Sequence, residues 1–345
     1  MLVREAKEVA RRWVLENSST LPGFRGAFFH GSITYLRDDA IISPTSDVDV
    51  MVVFSDPPPH KVGKLVYDGV LLEISYLPSE QLKSPEQVLG TYRLAGSFRS
   101  PGIIADPSGQ LTSLQQEVAR QFAQHRWVYK RCEDARSNIL RFIHSLDASA
   151  PLHEQVMAWL FAAGGTTHPL LVAGLKNPTV RKRFLDARAL LAGYGRLDFY
   201  EQLLELLGCS HMEQEQAEGH LNQLAAVFDV AQSVVKTPFF FKSDISELAR
   251  PIAIDGSREL IRRGDWREAV FWMAVTYSRC MAVLRHDGSA EMQEKFLPGY
   301  RHLLGDLGIV TFNDLQQRSQ QLEAFLPSLW EVTEAILAAN PEVVH

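Results

Sequence analysis

Residues 26–54, GAFFHGSITYLRDDAIISPTSDVDVMVVF, limit what this chain can fold into more than any other stretch. They read as an apolar strand, a Gly31-Ser32 turn, a polar loop, and a second apolar strand that opens on two aspartates. Asp47 and Asp49 are separated by one residue, so an extended backbone sends both side chains to the same face. Carboxylates held side by side resist joint ionisation. Such a pair serves a metal, shares a proton, or stays charged because water solvates it. Val48, Val50, Met51, Val52 and Val53 fix the strand, and Pro44 with Ser46 supplies turn chemistry ahead of it.

The Gly31-Ser32 turn is the other half of the pattern. Glycine lets backbone come close to a ligand, and free N–H groups at a helix opening near Ile33 would attract phosphate oxygens. The serine hydroxyl adds a donor. A phosphate cradle followed by two aspartates suits a nucleoside triphosphate carried with Mg²⁺.

Further on, KLVYDGVLLEISYLP places Asp68-Gly69 between two apolar runs, a strong signal for a two-residue hairpin. On the second arm Val70, Leu72, Ile74 and Tyr76 share one face, and Leu71, Glu73 and Ser75 share the other. A single acid between Leu72 and Ile74 has two readings. It is a solvated carboxylate on an edge strand, or it joins Asp47 and Asp49 around a metal from a strand about 4.8 Å away.

In this order and between apolar strands, Gly31, Ser32, Asp47, Asp49 and Glu73 resemble the signature of the DNA polymerase β-like nucleotidyltransferase superfamily. The spacer over residues 33–46 is longer than that superfamily usually has, which points to an extended helix or loop beside the site. The resemblance implies an α+β protein: an N-terminal mixed β-sheet nucleotidyltransferase domain, the polymerase β-like palm, over residues 1–110, and an all-α domain over 111–345. It implies Asp47, Asp49 and Glu73 as catalytic, metal-binding residues for Mg²⁺, with two ions expected and one aspartate bridging them. Glu73 would complete the site or activate the acceptor hydroxyl. Gly31 and Ser32 would hold the β- and γ-phosphates. The implied reaction moves a nucleoside monophosphate from a nucleoside triphosphate to an acceptor hydroxyl and releases pyrophosphate. Small size, acidic balance and a helical second half resemble the small-molecule, aminoglycoside-type branch. Two other readings stay open: a non-catalytic nucleotide-binding or protein-interaction module on the same scaffold, and an enzyme that nucleotidylates a protein side chain.

A chain of 345 residues has room for two domains of about 100–200 residues each. Its hydrophobic content of 46% and charged content of 22% are those of an ordinary globular protein. The net charge of −6, without a basic run, argues against nucleic acid as a partner. Cys132, Cys209 and Cys280 form no CxxC pair, so neither a zinc ribbon nor a disulfide framework is expected. The N-terminal segment has no signal-like apolar core, and no later apolar run approaches the ~20 residues that span a bilayer. A cytoplasmic protein with reduced thiols and no membrane partner is the expectation.

The rest of the chain reads as helices. An amphipathic one over residues 3–16 carries Val3, Ala6, Val9, Ala10, Trp13 and Val14 on one face. After Ile103-Ile104, a short last strand, helices are expected over 114–146 without a break, from Pro151, and from Asn177-Pro178. Others are expected over 198–207 with Gly208 as stop, and over 214–235, 244–263, 265–285, 296–304 and 313–339. Asp265 with Glu268 has the form of a capping box. Arg181, Lys182 and Arg183 are a solvated basic face or a clamp on the triphosphate. Glu154 and Glu268 are helix-start carboxylates or, with Glu73, candidates for a general base. His30 touches a ligand or is satisfied by the protein. Phe239, Phe240 and Phe241 plug an interdomain core or stack on a base, and Trp266, Phe271, Trp272 and Tyr277 read as core.

Overall fold

The computed structural model describes residues 1–58 and 60–345. Pro59, the last of the proline run expected to break regular structure, lies outside them. The chain is α+β, with a five-stranded mixed sheet near the N-terminus followed by helices. It divides into two compact units. One comprises Met1–Asp134, Leu175–Asn177 and Asn340–His345, the other Ala135–Gly174 and Pro178–Ala339.

In the first unit the strands are β1 (Phe24–His30), β2 (Val48–Phe54), β3 (Gly63–Tyr67), β4 (Val70–Pro78) and β5 (Ile103–Ala105), in the order β3-β4-β2-β1-β5. Only β2 and β4 run parallel; the other pairs are antiparallel. Helix α1 (Val3–Asn17) sets Val3, Ala6, Val9, Ala10, Trp13 and Val14 against one sheet face, where Ala27, Phe29, Val50, Leu72 and Ile74 point. That is the expected stripe, on a helix one residue longer. The opposite face is covered at one end by α2 (Pro85–Gly90), α3 (Tyr92–Ala95) and α4 (Gln110–Gln121). Val88, Leu94 and Leu114 pack there on Phe28, Val53 and Leu77. The unit extends past residue 110 because Leu111, Leu114 and Val118 of α4, and Trp127 in α5 (His125–His144), belong to this same core. The helix expected over 114–146 is broken after Gln121. There the C-terminal tail takes the backbone groups: Val344 N–H donates to Ala123 O at 2.9 Å, and His125 N–H to Val344 O at 2.8 Å.

The second unit contains α6 (Leu152–Gly165), α7 (Thr167–Ala173), α8 (Arg183–Gly193), α9 (Leu197–Leu207), α10 (Gln214–Val234), α11 (Gly256–Arg262), α12 (Trp266–Asp287), α13 (Ala290–Asp306) and α14 (Phe312–Ala339). Helix α12 is buried along most of its length and packs on α6, α10, α11 and α13. Leu152–Ala173 contains an 18-residue window of mean hydropathy 1.3 and is long and apolar enough to cross a membrane, against the expectation of no such run. In this fold 89% of that stretch's most apolar window is buried inside the protein. Two helix starts differ from expectation. Helix α8 begins at Arg183 rather than after Pro178, because side chains claim the carbonyls in between: His168 Nε2 lies 3.3 Å from Thr179 O, and Arg183 Nε donates to Val180 O at 2.8 Å. The helix expected over 244–263 starts as a π-turn at Pro251–Asp255, since a proline cannot donate inside a helix. Asp265 makes no capping bond; its carboxylate goes to Arg188, at 2.5 Å, and Arg263.

Candidate metal centre

Strand register assembles the acidic site. In the parallel pair β2·β4, Asp49 lies opposite Glu73, and in β1·β2 it lies opposite His30. Val48 and Val50 face the α1 core, so Asp47 and Asp49 face the other way, at the end of the sheet that α2–α4 leave uncovered. The ligating oxygens of Asp47, Asp49 and Glu73 all lie within 4.8 Å of one another. The three acids expected to converge therefore do so, from two strands and the approach to one of them.

Two lysines absent from the sequence expectation join them. Lys64 Nζ donates to Asp47 Oδ2 at 2.6 Å and to Glu73 Oε2, and only 4% of its side chain is exposed. Lys61 Nζ donates to Glu73 Oε1. Lys64 was within reach of sequence reasoning. Asp68 and Gly69 both have positive φ, 45° and 74°, which matches a two-residue hairpin turn of the I′ class. Tyr67 then pairs Val70, and counting back from the turn brings Lys64 opposite Glu73, as found.

The acids respond differently to these surroundings. Burial pushes the Asp49 carboxyl well above its ordinary value, and the neighbouring charges of Asp47 and Glu73 add to the rise. Burial acts upward on Glu73 too, but Lys64 and Lys61 outweigh it and hold Glu73 down to about 2.

The glycine turn adjoins this cluster. Gly31–Thr34 forms a 3₁₀ turn rather than the expected helix from Ile33. Gly31 has φ +65°, and a Cβ there would sit 2.3 Å from Asp49 Oδ2. Only glycine satisfies both the backbone angle and the approach. The Ser32 side chain is half-buried and has no hydrogen-bond partner among the described residues. The long spacer is a loop pinned to the start of α1: Val3 N–H donates to Ala40 O at 2.8 Å and Arg4 N–H to Asp38 O at 3.1 Å. These bonds satisfy two donors that a helix leaves open at its N-terminus. His30 is satisfied by the protein, its Nδ1 lying 2.7 Å from Ser97 Oγ. Burial lowers its pKa to about 4, so it is neutral at pH 7.

The remaining candidates belong to the second unit. Arg181 and Lys182 lie in the turn before α8, not in its first helical turns. Burial lowers the Lys182 pKa, and Arg181 lowers it further. Arg183 is buried over the Phe271 ring, 4.1 Å from its centroid. Glu268 accepts from Arg188 Nη1 at 2.8 Å and from the Tyr200 hydroxyl at 2.6 Å, a buried network that occupies its carboxylate. Glu154 is exposed at the first turn of α6.

No model of a known protein family matches the chain, and no curated protein matches it.

Proposed function

We propose that this chain has the polymerase β-like nucleotidyltransferase fold. In this reading it moves a nucleoside monophosphate from a nucleoside triphosphate to a hydroxyl of a small-molecule acceptor and releases pyrophosphate. The observation that carries the reading is the convergence of Asp47, Asp49 and Glu73 within 4.8 Å beside a turn that only glycine can form. Three carboxylates are hard oxygen donors of the kind Mg²⁺ prefers, so the donor set fits the ion. Asp47, Asp49 and Glu73 would hold it. When bound, Mg²⁺ would neutralise charge on the phosphates and polarise the phosphoryl group.

The chain's own groups have distinct parts in this account. Gly31 brings backbone to the edge of the carboxylate cluster, and the Ser32 hydroxyl is available to a phosphate oxygen. A carboxylate held at about 2 is a weak base near pH 7, so Glu73 contributes charge rather than proton abstraction. Glu268 is equally unsuited to the base role, being tied to Arg188 and Tyr200.

One observation favours a second reading. The Lys64 ammonium already bridges Asp47 and Glu73, as a bound cation would. A scaffold that had given its metal position to a lysine would bind partners without turnover. A screen of ATP, GTP, CTP and UTP against a panel of metabolites and antibiotics, read by pyrophosphate release, separates the two. Mg²⁺-dependent release that disappears in Asp49→Ala is the result expected of the transferase. Triphosphate binding without release for any pair favours a silent nucleotide-binding scaffold, and absence of both binding and release sinks the transferase.

A further inference from the structure

Apart from the acidic site, the second unit holds a cavity of about 520 Å³. That lies within the range of about 300–1,000 Å³ usual for small-molecule sites. Its walls are aromatic. Phe142 and Phe161 stack with centroids 5.2 Å apart, and Phe239 and Phe241 stack at 4.9 Å, only 11° from parallel. Phe240 stands edge-on to Phe241 and is 74% exposed. The triple phenylalanine run, read from sequence as an interdomain plug or a stacking platform, thus lines a pocket within one unit.

His153 is the polar group that asks for a ligand. It lines the cavity, it is 7% exposed, and its ring makes no hydrogen bond among the described residues. Glu154 Oε1 is 3.8 Å from Nε2, beyond hydrogen-bonding reach. Neither ring nitrogen is sealed from solvent, so a polar group entering the cavity can take the place of water on the imidazole. Burial holds the His153 pKa down to about 4, with Arg285 and His286 adding to the effect. The ring is therefore neutral near pH 7, with one nitrogen donating and one accepting.

The charges around the pocket narrow the ligand further. Arg279 donates to Asp244 Oδ2 at 2.8 Å and lies over the Phe241 and Trp272 rings, each 5.2 Å from the guanidinium carbon. Its charge is already answered. Asp147 and Glu154, exposed at the lining, stand against the positive charge of Arg285 that acts on His153, which leaves no net charge for an anion to answer. We propose that this cavity binds an uncharged aromatic molecule bearing a hydroxyl, its ring against the phenylalanines and its hydroxyl on the His153 imidazole.

The probe is 1-naphthol, titrated into the full chain in the presence of a chelator and followed by calorimetry, with naphthalene and 1-naphthoate as comparisons. Saturable binding of one naphthol per chain is expected, with both comparisons weaker by about fivefold or more for want of the neutral hydroxyl. Ala158→Trp, which fills the cavity, should abolish binding, and His153→Phe should erase the preference for naphthol over naphthalene. Absence of saturable naphthol binding, or equal binding of naphthol and naphthalene to the unaltered chain, overturns the proposal. So does unchanged binding in both variants when their thermal melts are native. If the variants fail to fold, the three-probe comparison on the unaltered chain decides alone. The chelator keeps the outcome independent of any chemistry at the acidic site.

Discussion

Removing the Lys64 ammonium would leave Asp47 and Glu73 facing Asp49 with no buried cation between them. Breaking a buried ion pair from one side typically costs about 3–5 kcal/mol, because the remaining charge is stranded. Lys64→Met is therefore expected to lower the melting temperature in metal-free buffer. Mg²⁺ should restore more of the stability in this variant than it adds to the unaltered chain, since ammonium and metal compete for the same oxygens. Thermal melts with and without Mg²⁺ check this, and an equal metal response in both proteins would count against a cation site. Gly31 tests the other half of the site. Gly31→Ala has to adopt a left-handed φ and also displace the Asp49 carboxylate. A loss of about 1–3 kcal/mol is expected from the backbone strain alone, and triphosphate binding should fall with it.

The hairpin of β3 and β4 fixes which residues meet. Strand side chains alternate, so a slip of one residue would carry Glu73 to the α1 face and Leu72 into the acidic cluster. Gly69 holds the register with φ +74° and has open space where a Cβ would go. Gly69→Ala should therefore cost only the left-handed penalty of about 1–2 kcal/mol, with triphosphate binding intact. Urea titration of both glycine variants separates a backbone cost from a site cost. This hairpin also marks how far the site could be read in advance. The Asp68-Gly69 signal, the alternation around Glu73 and the Asp47/Asp49 spacing are local, and they placed the three acids correctly. Lys64 follows from the same register, as the residue that pairs with Glu73 across the hairpin. What sequence could not give was the 3₁₀ turn at Gly31–Thr34, which depends on contact with Asp49 from another strand.

At the scale of the whole chain, burial of neutral histidines contributes to the response to acid. His30 and His153 both have pKa values near 4 in the folded protein, against 6.5 for an ordinary histidine. Between those values these two histidines bind more protons in the unfolded chain than in the folded one, so their contribution to stability falls as pH drops from about 6.5 to about 4 and levels off below. For His153 the loss is on the order of 3 kcal/mol. Urea denaturation at pH 7 and pH 4.5 should show a smaller decline in His153→Phe than in the unaltered chain; identical declines would contradict the burial argument. The helical part of the fold was legible where amphipathic spacing, the Gly208 stop and the Pro151 start acted locally. It was misread where distant backbone or side chains intervened, as at the break before His125 made by Val344 and the delayed start of α8. The central claim is that three acids on one sheet face hold a divalent cation for a nucleoside triphosphate. Calorimetric titration of ATP, GTP, CTP and UTP into the chain, with and without Mg²⁺, tests it most directly. Saturable binding of at least one triphosphate that requires Mg²⁺ and vanishes in Asp49→Ala is the expected result. Binding that is indifferent both to the metal and to Asp49 would contradict it.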